Sequence, residues 1–303
     1  MYNFADDMRS AFLFVSILLV ELLLAGCQKR EELPECNAVY YWRTELRLDT
    51  AERAFLQQYH INKVYCRYFD VVMQPTTDDA DSLEPMPNAT IAFSDTLPEG
   101  VEIVPTVYIT EDCMHEWHEG LAEKIVKRIL QMNETNDIGS VREIQIDCDY
   151  TSRSRKVYYE FLEEVHSQLS IANAQLSTTI RLHQLQMAPP PADYGVLMLY
   201  NTGDPRKFAE RNPVLDLRDV QPYVRYLDDY DLPLAAAYPV YCWQRTIHNV
   251  HIEHTVEADE ILRVKQAVER ERSDLSRTVV TYHLDKENIG RYTPETYEEI
   301  YEH

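Results

Sequence analysis

The chain is 303 residues long and carries 29 basic against 51 acidic side chains, a formal net charge of −22. That balance excludes a nucleic-acid backbone as partner: polyanion binding needs a basic face, and only small clusters such as Arg153–Lys156 are present. Acidity on this scale keeps a protein soluble and says little about its fold.

The first element is apolar. Residues Ala11–Gly26, AFLFVSILLVELLLAG, follow Arg9 and run into Cys27, with the small residues Ala25 and Gly26 before it. The run is shorter than the ~20 residues that span a bilayer, and its layout is that of a cleaved export signal. Glu21 interrupts it, and Met8 before Arg9 makes a more usual start than Met1. LLAGC resembles a bacterial lipobox. The resemblance implies that residues 1–27 are a lipoprotein signal peptide, with Cys27 lipidated as the mature N-terminus. The expected location is the cell envelope of a bacterium, at the outer membrane. A diacylated cysteine holds a protein to a membrane surface, whereas one chain binds only marginally. An ordinary signal peptide or a short anchor is the alternative.

Residues 28–37 begin with the charged tether QKREELPE, and residues 38–303 read as one domain. Apolar strand-like runs recur at 38–46, 61–71, 101–110, 141–150, 176–185, 194–203, 232–243 and 277–284. Helical periodicity marks Thr50–His60, Glu116–Gln131, Arg155–Leu169, Asp219–Tyr230 and Ala258–Glu271, with Thr50 and Asp219 as candidate N-caps. Val72–Gly100 is rich in Pro and Asp with no clear helix, and QMAPPPAD (186–193) is too short for one. Strands alternating with helices over this length predict a single irregular (β/α)8 TIM barrel in the α/β class. The alternative is an open doubly wound sheet. Against it, no G-x-G-x-x-G loop follows the first strand, and many strands carry polar residues along one face.

The cysteines beyond Cys27 are Cys36, Cys66, Cys113, Cys148 and Cys242, odd in number and without a C-x-x-C pair. They indicate no disulfide framework. Cys66, Cys148 and Cys242 lie in apolar strands, where a thiol behaves as a small hydrophobe.

The fourth strand, VREIQIDCDYT, carries the chemistry. Side chains alternate along a strand, so Glu143, Gln145, Asp147, Asp149 and Thr151 share one face and Ile144, Ile146 and Cys148 the other. In a barrel the polar set points inward, and the strand's C-terminal end opens into the mouth where such folds place their sites. Two carboxylates there push a pKa upward, as a general acid requires. The bland reading pairs the acids with Arg181 or Arg67 to hold the barrel together. On the fifth strand Thr179, Arg181 and His183 alternate against Ile180 and Leu182, which puts a cation and an imidazole on the cavity face. Met198 and Tyr200 share a face at the end of the sixth strand, followed by Asn201; Trp243 closes the seventh with Tyr241, and Tyr40 and Trp42 lie on the first. Aromatic rings beside carboxylates suit sugar rings, whose C–H faces stack on aromatic planes, although aromatics are also ordinary core filler.

IQIDCD, LMLYN and the late-strand tryptophan resemble the fourth, sixth and last strands of family 18 glycoside hydrolases, the chitinase-like barrels. That family carries D-x-x-D-x-D-x-E and M-x-Y-D. Asp147 and Asp149 match its last two aspartates, and Met198 and Tyr200 its methionine and tyrosine. The resemblance implies that Asp149 orients the N-acetyl group of an amino-sugar substrate with help from Tyr200. The family's closing glutamate is the proton donor, and in this chain Thr151 stands at its position. Ile144 replaces the first aspartate, Asn201 the sixth-strand aspartate, and the third-strand S-x-G-G is absent from PTVYITED. Residues 38–245 also resemble bacterial lipoproteins of unknown function with a glycosidase-like barrel.

Two histidine groups, Cys113/His115/His118 and His248/His251/His254, lack the H-E-x-x-H order of a zinc helix and read as solvated surface. No metal and no cofactor is expected. The competing functions are a carbohydrate-active hydrolase on the envelope, a binding barrel without its proton donor, and a scaffold with no small ligand. For the hydrolase, Asp149, Asp147 and Tyr200 are the catalytic candidates. Arg181, His183, Asn201, Trp243, Met198 and Glu45 would contact substrate, and Glu45, Asp70 or Glu111 would supply a second carboxylate.

Overall fold

The structure, a computed structural model, describes residues 31–76, 82–171, 173–204, 211–247 and 250–303. The export signal, Cys27 and His248 lie outside the described residues. Eight strands form the barrel: β1 (Cys36–Tyr41), β2 (Ile61–Pro75), β3 (Glu102–Ile109), β4 (Glu143–Asp147), β5 (Gln175–Ile180), β6 (Tyr194–Met198), β7 (Leu234–Pro239) and β8 (Thr278–Tyr282). Each pairs in parallel with the next, and β8 returns to β1 through Ala38 opposite Val280, so the sheet closes on itself. β1 begins inside the segment read as tether.

Period-two alternation sorts the core into two parts. Ala38, Tyr40, Tyr65, Val196, Met198 and Tyr200 belong to the cluster inside the barrel. Val39, Tyr41, Ile144, Ile146 and Cys148 belong to the larger cluster under the helices. On β7 the inward residues Ala235 and Ala237 are small, which leaves room for the tyrosine rings opposite. The inward polar residues of β4 are satisfied. Glu143 accepts from Lys63 at 2.6 Å and from Ser177 and Tyr194 at 2.5 Å each, as a buried carboxylate requires. Cys66, Cys113 and Cys148 are buried free thiols.

The helices are α1 (Thr50–Gln58), α2 (Leu121–Thr135), α3 (Arg155–Ile171), α4 (Leu217–Val224), α5 (Ala258–Glu271), α6 (Lys286–Ile289) and α7 (Pro294–Tyr301). Asp49, not Thr50, caps α1, in a reciprocal pair with Glu52. Asp216, not Asp219, caps α4, which is shorter than its periodicity suggests. The barrel is irregular at two crossovers. After β2 a strand at Leu83–Asn88 folds back antiparallel on β2, and Ala92–Phe93 pairs with Glu45–Leu46, in place of a helix. Between β5 and β6 only a 3-10 turn, Leu182–Gln186, intervenes.

Every strand but β2 is shorter than its sequence run: β4 ends at Asp147, ahead of Asp149 and Thr151, and three other ends have a visible cause. β5 stops at Ile180, because the Gln184 side chain takes the Arg181 N–H at 2.7 Å and starts the 3-10 turn. β6 stops at Met198, and the left-handed backbone of Asn201 (φ 53°) turns the chain away. β7 stops at Pro239, which has no N–H for the ladder. Trp243 therefore does not close β7; it opens a separate hairpin, Trp243–Ile247 with Val250–His254. The chain enters at the N-terminal end of the barrel, where Arg277 donates to the Leu33 carbonyl at 2.6 Å and Thr278 to that of Pro34 at 2.7 Å.

Candidate functional site

The C-terminal ends of β3 to β6 build the site. Asp147 is 3% exposed, accepts from the Thr179 hydroxyl at 2.6 Å and has the Arg181 guanidinium 3.7 Å away. Burial pushes its carboxyl up to about 6, an effect that Arg181 opposes and the charge of Asp149 reinforces. Asp149, closer to solvent, is ion-paired with the same guanidinium through Arg181 Nε. Burial works against the Arg181 charge, but the two carboxylates outweigh it and raise its pKa. Tyr108, on β3, is pushed up to about 12 by burial and then by Asp149 and Asp147.

Beside this triad lies a cavity of about 350 Å3, lined by Asp149, Arg181, His183, Met198, Tyr200 and Asn201 among others. His183 reaches it from the 3-10 turn, exposed, and not from β5 as the strand alternation implied. The Tyr200 hydroxyl is buried and has no hydrogen-bond partner among the described residues. Arg181 lies 6.0 Å above the Tyr200 ring, and its Nη1 is likewise without a partner among them. Asn201 accepts from the Tyr241 hydroxyl at 2.5 Å.

Tyr200, on the cavity wall, belongs to an aromatic cluster. Tyr282, at the end of β8 and followed by a cis peptide bond, stacks on Tyr200 with centroids 4.7 Å apart. It also lies 5.6 Å from Tyr40, 5.9 Å from Trp42 and 5.4 Å from Tyr241. Sequence reasoning named Tyr40, Trp42 and Tyr241 but missed Tyr282. Its signal was available: it is an aromatic residue on the inward parity of the last strand, TVVTY. The resemblance had placed the last-strand aromatic at Trp243. That ring instead stacks on His254 at 5.5 Å in the hairpin and lines no part of the cavity.

Of the three candidates for a second carboxylate, Glu45 pairs with the exposed Arg47 at 2.8 Å and lines a different groove. Asp70 is held by Arg67, whose Nε donates at 2.7 Å. Glu111 stands against the fourth strand's end. It accepts from Ser154 at 2.7 Å and from Thr151 Oγ1 at 2.8 Å, and shares a hydrogen bond with His115 Nε2 at 3.0 Å. Those bonds, Ser154 first, hold its carboxyl below the usual range, so it is an anion at neutral pH. No group of His, Cys, Asp and Glu among the described residues is placed to hold a metal ion.

No protein-family model and no curated protein matches the chain. Solved structures do. The spore cortex-lytic enzyme SleL of Bacillus cereus is 14% identical, with a TM-score of 0.53 over 89% of this chain and 74% of its own. A chitinase of Chromobacterium violaceum gives 0.54 at 11% identity, over 88% of this chain and 98% of its own. A chitinase of Bacteroides thetaiotaomicron gives 0.52 at 10% identity, over 88% and 96%. The likeness is one of fold. It covers 88–89% of this chain and matches the architecture the strand pattern led us to expect.

Proposed function

We propose that the chain is a glycan-binding barrel of the chitinase-like type, which holds amino-sugar oligosaccharides at its mouth and hydrolyses them slowly if at all. The observation that carries this reading is the pairing at the end of β4. Thr151 stands where the chitinase-like motif has its acid, and it donates to a Glu111 carboxylate kept ionised. Neither group can protonate a leaving oxygen near neutral pH, and general acid catalysis contributes typically 10²–10⁴-fold. Binding does not need that proton. Trp42, Tyr241 and Tyr282, each partly exposed, offer planes for sugar C–H faces, and the cavity-lining side chains of Arg181, Tyr200 and Asn201 offer donors. Since Asp147 and Asp149 already balance Arg181, those donors suit a neutral acceptor such as an amide carbonyl or a hydroxyl better than a carboxylate. The fold neighbours, chitinases and a cortex-lytic enzyme, favour the same class of ligand.

The test is calorimetric binding of chito-oligosaccharides alongside turnover of aryl glycosides. Wild type is expected to bind and barely to turn over, and Tyr200→Phe to bind more weakly. Thr151→Glu sets a second carboxylate against Glu111; like charges push one pKa upward and create a proton donor, so hydrolysis should rise. Brisk wild-type turnover that survives Asp149→Asn would place the chemistry elsewhere, and absence of binding to any glycan would favour a scaffold. The same reading includes envelope anchoring through a lipid on Cys27, as LLAGC suggests.

A further inference from the structure

We propose that Gln184 is a positioning residue for this site: it locks the end of β5 to the end of β4 and thereby sets the Arg181 guanidinium that meets the ligand. The inference deepens the glycan-binding reading and rests on it.

Arg181 lies past the end of the sheet. The register of β5 with β4 ends at Thr178, and that with β6 ends at Ile180. No ladder bond therefore fixes its backbone. Gln184 does. Its Oε1 accepts the Arg181 N–H at 2.7 Å, and its own N–H donates to the Arg181 carbonyl at 2.9 Å. The same side chain reaches across, where Nε2 donates to the Tyr150 carbonyl at 3.0 Å. Tyr150 is the residue after Asp149 and is itself anchored, with its buried ring stacked on Tyr158 at 4.9 Å. One amide, 0% exposed, thus spans the two strand ends whose side chains, Asp149 and Arg181, form the ion pair.

A buried amide with both ends used is a short, stiff link in a low-dielectric setting. Had Gln184 only closed the 3-10 turn, its Nε2 would have no need of the fourth strand. Through that second bond, any shift of β5's end is referred to β4, and the Arg181–Asp149 geometry is set by a third residue that touches neither the cavity nor a ligand.

The experiment uses the domain without its signal and the variant Gln184→Met, which keeps the volume and removes both side-chain bonds. Two quantities are read: the NMR resonance of Arg181 Nε–H, which the bond to Asp149 protects from exchange, and the affinity for chitotetraose. Loss of that protection is expected. Affinity should fall about tenfold, the scale of one charge-assisted hydrogen bond, while unfolding stays cooperative. In an Arg181→Met background the same substitution should change affinity by less than about twofold, since coupled residues are non-additive. Undiminished loss in that background would show general loosening and overturn the proposal, as would a protected Nε–H in Gln184→Met. Should wild type bind no glycan, the binding reading fails while the Nε–H measurement still decides the role of Gln184. If Gln184→Met does not fold, Gln184→Glu keeps the acceptor for the Arg181 N–H but loses the donor to the Tyr150 carbonyl, so the protected signal should be lost there too; its retention would overturn the proposal.

Discussion

Asp147 and Glu111 are two acids with opposite pH behaviour. Asp147 is buried and its carboxyl sits near 6, so the folded chain binds that proton more tightly than the unfolded chain does. Its contribution to stability therefore falls as pH rises from about 4 to about 6, by roughly 3 kcal/mol at 1.36 kcal/mol per pKa unit. Asp147→Asn should remove that loss: urea unfolding is expected to favour the variant at pH 7 relative to pH 4, and parallel pH curves would sink the assignment. Glu111 works the other way. Its carboxyl is held down by Ser154, Thr151 and His115, so its stabilisation is present above the ordinary glutamate pKa and is lost as pH falls through the lowered one. Glu111→Gln should flatten the acid limb of the stability curve, measured by the same unfolding series. The inward face of Asp147 was legible in IQIDCD, because a strand alternates strictly, whereas Asp149 lies past the end of β4 and meets the same Arg181 from the loop. The Thr151–Glu111 bond was not, since the partners are separated by 40 positions and meet only through the β3–β4 pairing.

At the scale of elements, the strand cores were readable and their ends were not. Hydrophobic periodicity located all eight barrel strands, but LSTTIRLHQL, YGVLMLYNTG and LPLAAAYPVYCW each ran past the last ladder bond. What stops them is local chemistry that periodicity does not weigh: a side-chain amide at Gln184, a left-handed Asn201 and the missing N–H of Pro239. The cost was concrete, for it misplaced Trp243 and the route by which His183 reaches the cavity. The strand Leu83–Asn88 shows the same proline logic put to use. Pro85 and Pro87 lie in a strand paired on one side with β2, and a residue without an N–H blunts the edge against further pairing. Gly195 on β6 tests the outer packing. A Cβ there would stand 2.7 Å from Ile180 Cγ1 and 2.9 Å from Leu234 Cδ2, between two neighbouring strands. Gly195→Ala should therefore destabilise by about 1–3 kcal/mol, the usual cost of overpacking a filled core. An unchanged denaturation midpoint would mean that those side chains yield freely.

For the molecule as a whole, closure of the barrel puts the two ends of its axis to different uses. The mouth gathers the chemistry of β3 to β8, while the other end receives the chain: Leu33 and Pro34 are held by Arg277 and Thr278, and Cys36 donates to the Arg277 carbonyl at 2.9 Å. The described chain thus enters the barrel on the side away from the mouth. Glycan binding and membrane attachment would then be separable. If Cys27 is lipidated as proposed, Cys27→Ser in cells should leave an uncleaved or soluble species that no longer partitions into the detergent phase, because the thiol that would take the acyl chains is gone. The soluble protein should bind chito-oligosaccharides as the lipidated one does. Membrane attachment that persists unchanged in Cys27→Ser would refute the lipoprotein reading and leave the glycan-binding reading intact.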